Sequence, residues 1–165
     1  MYRHMFPTYI PRYNSTALRR VHSIFNNITT TYPTVAMNSI YVLEGYSQQA
    51  VKAVPEHSTA FPNRAYPILT SPVWGYNDTA ISGVIQAASR DMREAMVFGT
   101  GEGEPLHAYV NYAFGDETTH ELYGYEAWRV EKLEALKRRL DPQGRFSFYA
   151  PIPAPGKAEH EGYDG

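Results

Sequence analysis

The sequence predicts an α+β fold in which an antiparallel sheet carries helices packed on one of its faces. Three observations lead there. Apolar residues recur at helical spacing over about 15–30, 79–98 and 120–139. Three shorter stretches, 38–46, 66–74 and 107–113, are β-branched and aromatic. The order α-β-β-α-β-α lacks the regular strand–helix–strand rhythm of a parallel sheet.

The elements follow in order. Residues 1–13, rich in Pro, Tyr and Arg, read as an extended lead-in to a single domain over 14–153. Asn14-Ser15-Thr16 supplies caps for the first helix, and Leu18, Val21, Ile24, Phe25 and Ile28 form its stripe up to Pro33. The strand over 38–46 is followed by a long connection, 47–64, with room for one short helical turn. The prolines of 66–74 predict an edge or bulged strand. Asp78 caps the second helix. Residues 99–105 form a flexible loop, 107–113 a third strand, and the last helix ends at Asp141-Pro142-Gln143-Gly144. The small, polar tail 154–165 predicts disorder.

Composition bounds the function. The chain has 165 residues, enough for one domain with a sizeable core. The net charge is −2, which disfavours a general nucleic-acid binder. There is no cysteine, so disulfides, thiolate zinc sites and cysteine nucleophiles are excluded. The six histidines are scattered, with no metal-ligand spacing. No run approaches a membrane span, and the start lacks the apolar core of a signal peptide. Sequons stand at Asn14, Asn27 and Asn77. The glycines of Gly99-Thr100-Gly101-Glu102-Gly103 precede Glu104-Pro105 and a predicted strand, not a helix N-terminus, so the segment reads as a connector.

A three-stranded sheet with helices on one side leaves its other face bare, and here that face carries large aromatics. Glu44 sits in the otherwise apolar Tyr41-Val42-Leu43-Glu44-Gly45-Tyr46, on one face with Ile40, Val42 and Tyr46. A carboxylate desolvated there could act as a base, although a salt bridge with Arg64 would serve it equally. On a strand, Tyr109 and Asn111 would share one face and Tyr112 the other. Phenol and amide can orient a polar ligand or move a proton. Tyr41, Tyr46, Tyr112, Arg64, Trp74 and His107 complete a candidate ligand-binding set. Arg64 can clamp a carboxylate or tie down a loop. Trp74 can floor an aromatic pocket or simply pack.

Tyr109-Val110-Asn111-Tyr112, then Tyr123-Gly124-Tyr125-Glu126-Ala127-Trp128-Arg129, then Leu136-Lys137 and Asp141-Pro142 with Phe146 form an ordered series. It resembles the C-terminal berberine-bridge-enzyme region of FAD-linked oxidases, fungal members above all. The likeness extends upstream through Tyr41–Tyr46 and Thr59–Arg64 and covers about residues 14–153. It implies part of a substrate domain whose pocket the Tyr109–Tyr112 segment lines, which together with the reading of Glu44 above makes Tyr109, Asn111 and Glu44 the catalytic candidates. It also implies substrate oxidation by hydride transfer to FAD. Nothing here resembles the family's FAD-binding half, so FAD is not expected to be held by this chain alone. Glu126 stands where the family has an Asn. Expected partners are an aromatic or polyketide-like small molecule, a separate FAD-domain polypeptide, and a second copy docked through the open sheet face. Two alternatives remain: a flavin-independent cyclase or isomerase of natural-product biosynthesis, and a non-catalytic ligand-binding module.

Overall fold

A computed structural model describes residues 1–153. The predicted tail, 154–165, lies outside the described residues. The fold is α+β, as expected, but its centre differs from the expectation. The strand β4, Ile68–Tyr76, is central and buried along all nine residues. The strand β3, Ile40–Gly45, pairs with one side of it, and β1, Tyr2–Met5, and β2, Thr8–Ile10, pair with the other, all antiparallel. The stretch read as a lead-in therefore supplies a whole sheet edge.

Pro72 lies mid-strand in β4, where a missing N–H would break a ladder. The fold accommodates it by interrupting the neighbour. β1 ends opposite Val73 and β2 resumes opposite Thr70. Between them the Phe6 N–H donates to Ser71 Oγ at 3.0 Å, replacing a backbone bond. A proline therefore does not confine this strand to an edge.

Helices α1, Ser15–Thr31, and α4, Ser82–Phe98, cover one sheet face. Asn14 caps α1, its Oδ1 accepting from the N–H groups of Thr16 and Ala17. A short helix α2, Pro33–Ala36, follows at Pro33. Trp74 anchors the core. Its ring stacks on Phe25 at 4.8 Å, and its Nε1–H donates to Ser89 Oγ at 2.8 Å. Ile85, Met92, Met96, Val21 and Ile28 surround it.

The long connection contains a short helix α3, Gln49–Ala53, and one 3-10 turn. The expected third strand is absent. Residues 110–112 form a 3-10 turn instead, and among the described residues the one backbone bond between the sheet and 107–113 is from the Tyr9 N–H to the His107 carbonyl at 2.7 Å. The expected last helix is two: α5, Thr119–Tyr123, and α6, Ala127–Leu140. Gly124 separates them with φ +98°, where a Cβ would stand 2.8 Å from Glu126 Oε2 and 2.9 Å from Pro62 Cβ. No described helix is long and apolar enough to cross a membrane.

An ion cluster fixes the turn before α5 to α4. Arg93 binds Asp116 at 3.0 Å and Glu117 at 2.9 Å, and Arg90 binds Asp116 at 2.8 Å. Phe114 stacks on Phe6 beneath these guanidinium groups. Burial alone would raise the Asp116 carboxyl, but hydrogen bonds and charge from Arg93 and Arg90 hold it below its ordinary range. Burial dominates at Glu117 and raises it despite two backbone N–H bonds and Arg93. In the wild type, the Asp116 contribution is present above its unfolded pKa and lost on acidification. The Glu117 contribution has the opposite sign. Arg93→Met leaves Glu117 without a cationic partner and Asp116 with Arg90 alone. We expect a loss of about 3 kcal/mol at pH 7 by urea unfolding. The deficit should narrow on acidification, as Glu117, whose carboxyl burial holds above its ordinary range, takes up its proton. A deficit that widens on acidification would contradict this account.

Candidate functional site

The second sheet face carries a carboxylate among phenols. β3 presents Glu44 on this face, opposite Leu69 of β4. The period of two puts Tyr46 beside it, and Tyr46 Oη donates to Glu44 Oε2 at 2.8 Å. The other carboxylate oxygen, Oε1, accepts a long bond from Tyr112 Oη at 3.4 Å. Tyr112 arrives from the 3-10 turn, which also turns Tyr109 and Asn111 toward it. Asn111 Nδ2 donates to Tyr109 Oη at 2.8 Å, and the Tyr109 and Tyr112 rings meet edge-on at 5.1 Å. A strand would have sent Tyr112 to the opposite face, so the absence of that strand is what assembles the group. Tyr149 pins the turn at both ends, its Oη lying 2.7 Å from the Val110 carbonyl and 3.1 Å from that of Ala113.

Tyr9 of β2 completes the group, with its ring edge-on to Tyr109 at 6.1 Å and to Phe61 at 6.2 Å. Sequence reasoning missed it because 1–13 was read as a lead-in. The alternation in Thr8-Tyr9-Ile10 was the available signal.

The electrostatics are one-signed. Glu44 belongs to none of the ion pairs among the described residues. Burial raises the Tyr9 phenol, with the charges of Tyr109, Tyr46 and Glu44 adding to it. Tyr46 is raised first by its hydrogen bond to Glu44, and Tyr112 first by burial and then by the Glu44 charge. These phenols are therefore protonated donors at neutral pH, and Glu44 is the group in the cluster able to accept a proton. No cluster of three potential metal ligands exists among the described residues.

The remaining candidates lie elsewhere. Tyr41 points to the helix-covered face, where its Oη meets Thr70 Oγ1 at 2.7 Å and burial pushes its pKa up to about 12. Trp74 is sealed in the core. Arg64 makes no salt bridge with Glu44. It donates to the Val51 carbonyl at 2.8 Å and to Thr59, tying down the long connection. His107 stacks on Tyr66 at 4.1 Å, outside the phenol group. Glu126 pairs with Arg129 at 3.4 Å. An apolar cavity of about 300 Å³ lies behind the 3-10 turn, between 113–122 and 148–151, and Glu44 does not line it. The phenol group itself lies on an open face, with Tyr46 60% exposed.

Residues 108–153 match the family model for berberine and berberine-like proteins. This segment belongs to that family. The chain is 38% identical over 149 residues to the FAD-linked oxidoreductase chyH of Penicillium rubens, covering 89% of this chain and 29% of that protein. It is 41% identical over 150 residues to the FAD-linked oxidoreductase chry5 of Gibberella zeae, again covering 89% of this chain and 29% of the relative. The chain thus spans under a third of the length of these relatives and is homologous to their C-terminal part. Its fold matches that of a variant of Physcomitrella patens BBE-like 1, with TM-score 0.69, 22% identity, and 92% and 30% of the two chains covered. It also matches a carbohydrate oxidase from Microdochium nivale solved with a substrate analogue, with TM-score 0.66, 18% identity, and 94% and 33% covered.

Removing the charge at Glu44 tests the electrostatic reading. In Glu44→Gln, the Tyr46 and Tyr112 phenols should titrate at lower pH than in the wild type, followed by NMR of ring-labelled tyrosine. Tyr41, on the opposite face, should not move. Unchanged titration of Tyr46 would show that the carboxylate does not govern these phenols.

Proposed function

We propose that this chain forms the substrate-contact face of an FAD-linked oxidoreductase and that the flavin is held by residues other than those described. Supporting this reading is the carboxylate–phenol group on an open sheet face, in a chain homologous to one part of FAD-linked oxidoreductases. Glu44 accepts a proton from a substrate hydroxyl. Tyr46, Tyr112 and the Tyr109–Asn111 pair orient the substrate by hydrogen bonds. The face offers a negative charge and neutral donors, so it favours a neutral, hydroxyl-bearing or cationic substrate over an anionic one.

The described residues do not fit the cofactor's pyrophosphate. The glycine-rich connector at 99–103 carries Glu102, is followed by Glu104, and leads into extended chain where a helix N-terminus would be needed. FAD, when bound by the rest of such an enzyme, would accept the hydride. A second reading is supported by the same group: its proton chemistry is complete without a redox partner, as a cyclase or isomerase would require.

The purified chain should be colourless and should leave the fluorescence of added FAD unchanged. Joined to the flavin-bearing remainder of the Penicillium rubens relative, it should yield a yellow protein that oxidises that relative's own substrate. Glu44→Gln in this hybrid should lower kcat by about a hundredfold with FAD content unchanged. Stoichiometric FAD on the isolated chain would overturn the claim that the flavin is held elsewhere, full activity of Glu44→Gln would overturn the role of Glu44, and a yellow hybrid without turnover would overturn the oxidoreductase reading. Turnover of a substrate by the isolated, colourless chain would favour the second.

A further inference from the structure

A different pocket of about 580 Å³ lies between the long connection and the α5–α6 break. The polar atoms around it are poorly satisfied. Five buried side-chain atoms among the described residues lack a hydrogen-bond partner: two belong to residues lining this pocket, Arg64 Nε and His107 Nε2, and two more, Arg129 Nε and Nη1, lie directly behind its Gly124 and Glu126 wall. Buried polar atoms are ordinarily paired, so a concentration at one place points to a missing complement. Three of the four are guanidinium nitrogens, which can only donate. The complement must therefore bring acceptor oxygens.

Arg129 is the central group. Its side chain is 1% exposed, yet only Nη2 is engaged, by Glu56 at 3.1 Å and by Glu126 at 3.4 Å. Both carboxylates line the pocket and are about half exposed. The Glu126 contact is long for a charge-assisted bond. A Cβ built at Gly124, which lines the pocket, would lie 2.8 Å from Glu126 Oε2 and 3.3 Å from Arg129 Nε, so both groups stand against this wall. Swinging Glu126 outward would free one hydrogen of Nη2 beside an unpartnered nitrogen of the same guanidinium. The opposite wall is aromatic: His107 lies against Tyr66 and meets Tyr125 edge-on at 5.5 Å. Burial lowers the His107 pKa, so the ring is neutral and adds no charge to that wall. Lys52 stands exposed at the rim.

We propose that this pocket binds a small aromatic carboxylate, whose carboxylate replaces Glu126 on Arg129 and whose ring lies against Tyr66, His107 and Tyr125. The site is separate from the Glu44 group and does not depend on the oxidoreductase reading. A planar carboxylate can take two parallel bonds from one guanidinium edge, which a single swinging Glu126 oxygen does not do.

Benzoate, with benzamide as its neutral isostere, tests this on the full chain by NMR titration. Benzoate should shift the His107 and Tyr125 resonances saturably, and benzamide should not. Glu126→Gln removes the internal competitor and should tighten benzoate binding by about tenfold. If Glu126 were only a structural partner of Arg129, that variant would instead leave binding unchanged. A melting curve on Glu126→Gln confirms that it is folded. Arg129→Gln, if folded, should abolish binding. Benzamide binding as well as benzoate, no shift at His107 and Tyr125, or unchanged or weakened binding in Glu126→Gln would each overturn the proposal.

Discussion

Everything in this chain is arranged around β4, a strand that must be buried on both faces and paired on both edges. The burial pattern therefore forces two different linings onto one backbone. One lining is a conventional apolar core, with Trp74 bonded to Ser89 and stacked on Phe25. The other is the polar, aromatic face where Glu44 stands opposite Leu69. The break in the β1–β2 edge follows from the same constraint, since Pro72 removes a donor where an unbroken neighbour would need one.

The long amphipathic helices were legible because their stripes match the helical period and Asn14 offers a capping oxygen. β3 was legible from its alternation, which also placed Glu44 and Tyr46 on one face correctly. The central position of β4 was not legible, because its prolines carry the signature of an edge and the compensating break lies far away at Phe6-Pro7. The missing third strand shows a limit of another kind. Tyr109-Val110-Asn111-Tyr112 has strand-forming residues, but the Ala108 N–H is taken by the Glu121 carbonyl and Asn63 bonds the Ala108 carbonyl. Those non-local partners, together with Tyr149, bend the segment into a turn. The expectation of one long last helix failed at Gly124, whose φ of +98° lies outside the helical region.

The site shows the same division. Glu44, Tyr46, Tyr109, Asn111 and Tyr112 come together, while Tyr41, Trp74, Arg64 and His107 do not. The first group is held by short-range geometry on either side of the contact: strand period in one case, a single turn in the other. The others were placed by residue type alone, and type does not say which face a side chain occupies. Arg64 illustrates this, since both its Nη groups are engaged by the loop it closes. The substitution of Glu126 for the amide of the resembled family also has a local counterpart, for its carboxylate has the Arg129 guanidinium within reach.

We propose that the Glu44–tyrosine face, where Tyr46 is exposed in this chain, is covered when the flavin-bearing remainder of such an enzyme packs against it. Photo-excited dye accessibility of individual tyrosines by NMR measures that directly. In the isolated chain Tyr46 should polarise strongly and the core-facing Tyr41 should be silent. On assembly with the flavin-bearing remainder of a relative, the Tyr46 signal should vanish. A Tyr46 that is already silent alone, or equally bright after assembly, would contradict the claim.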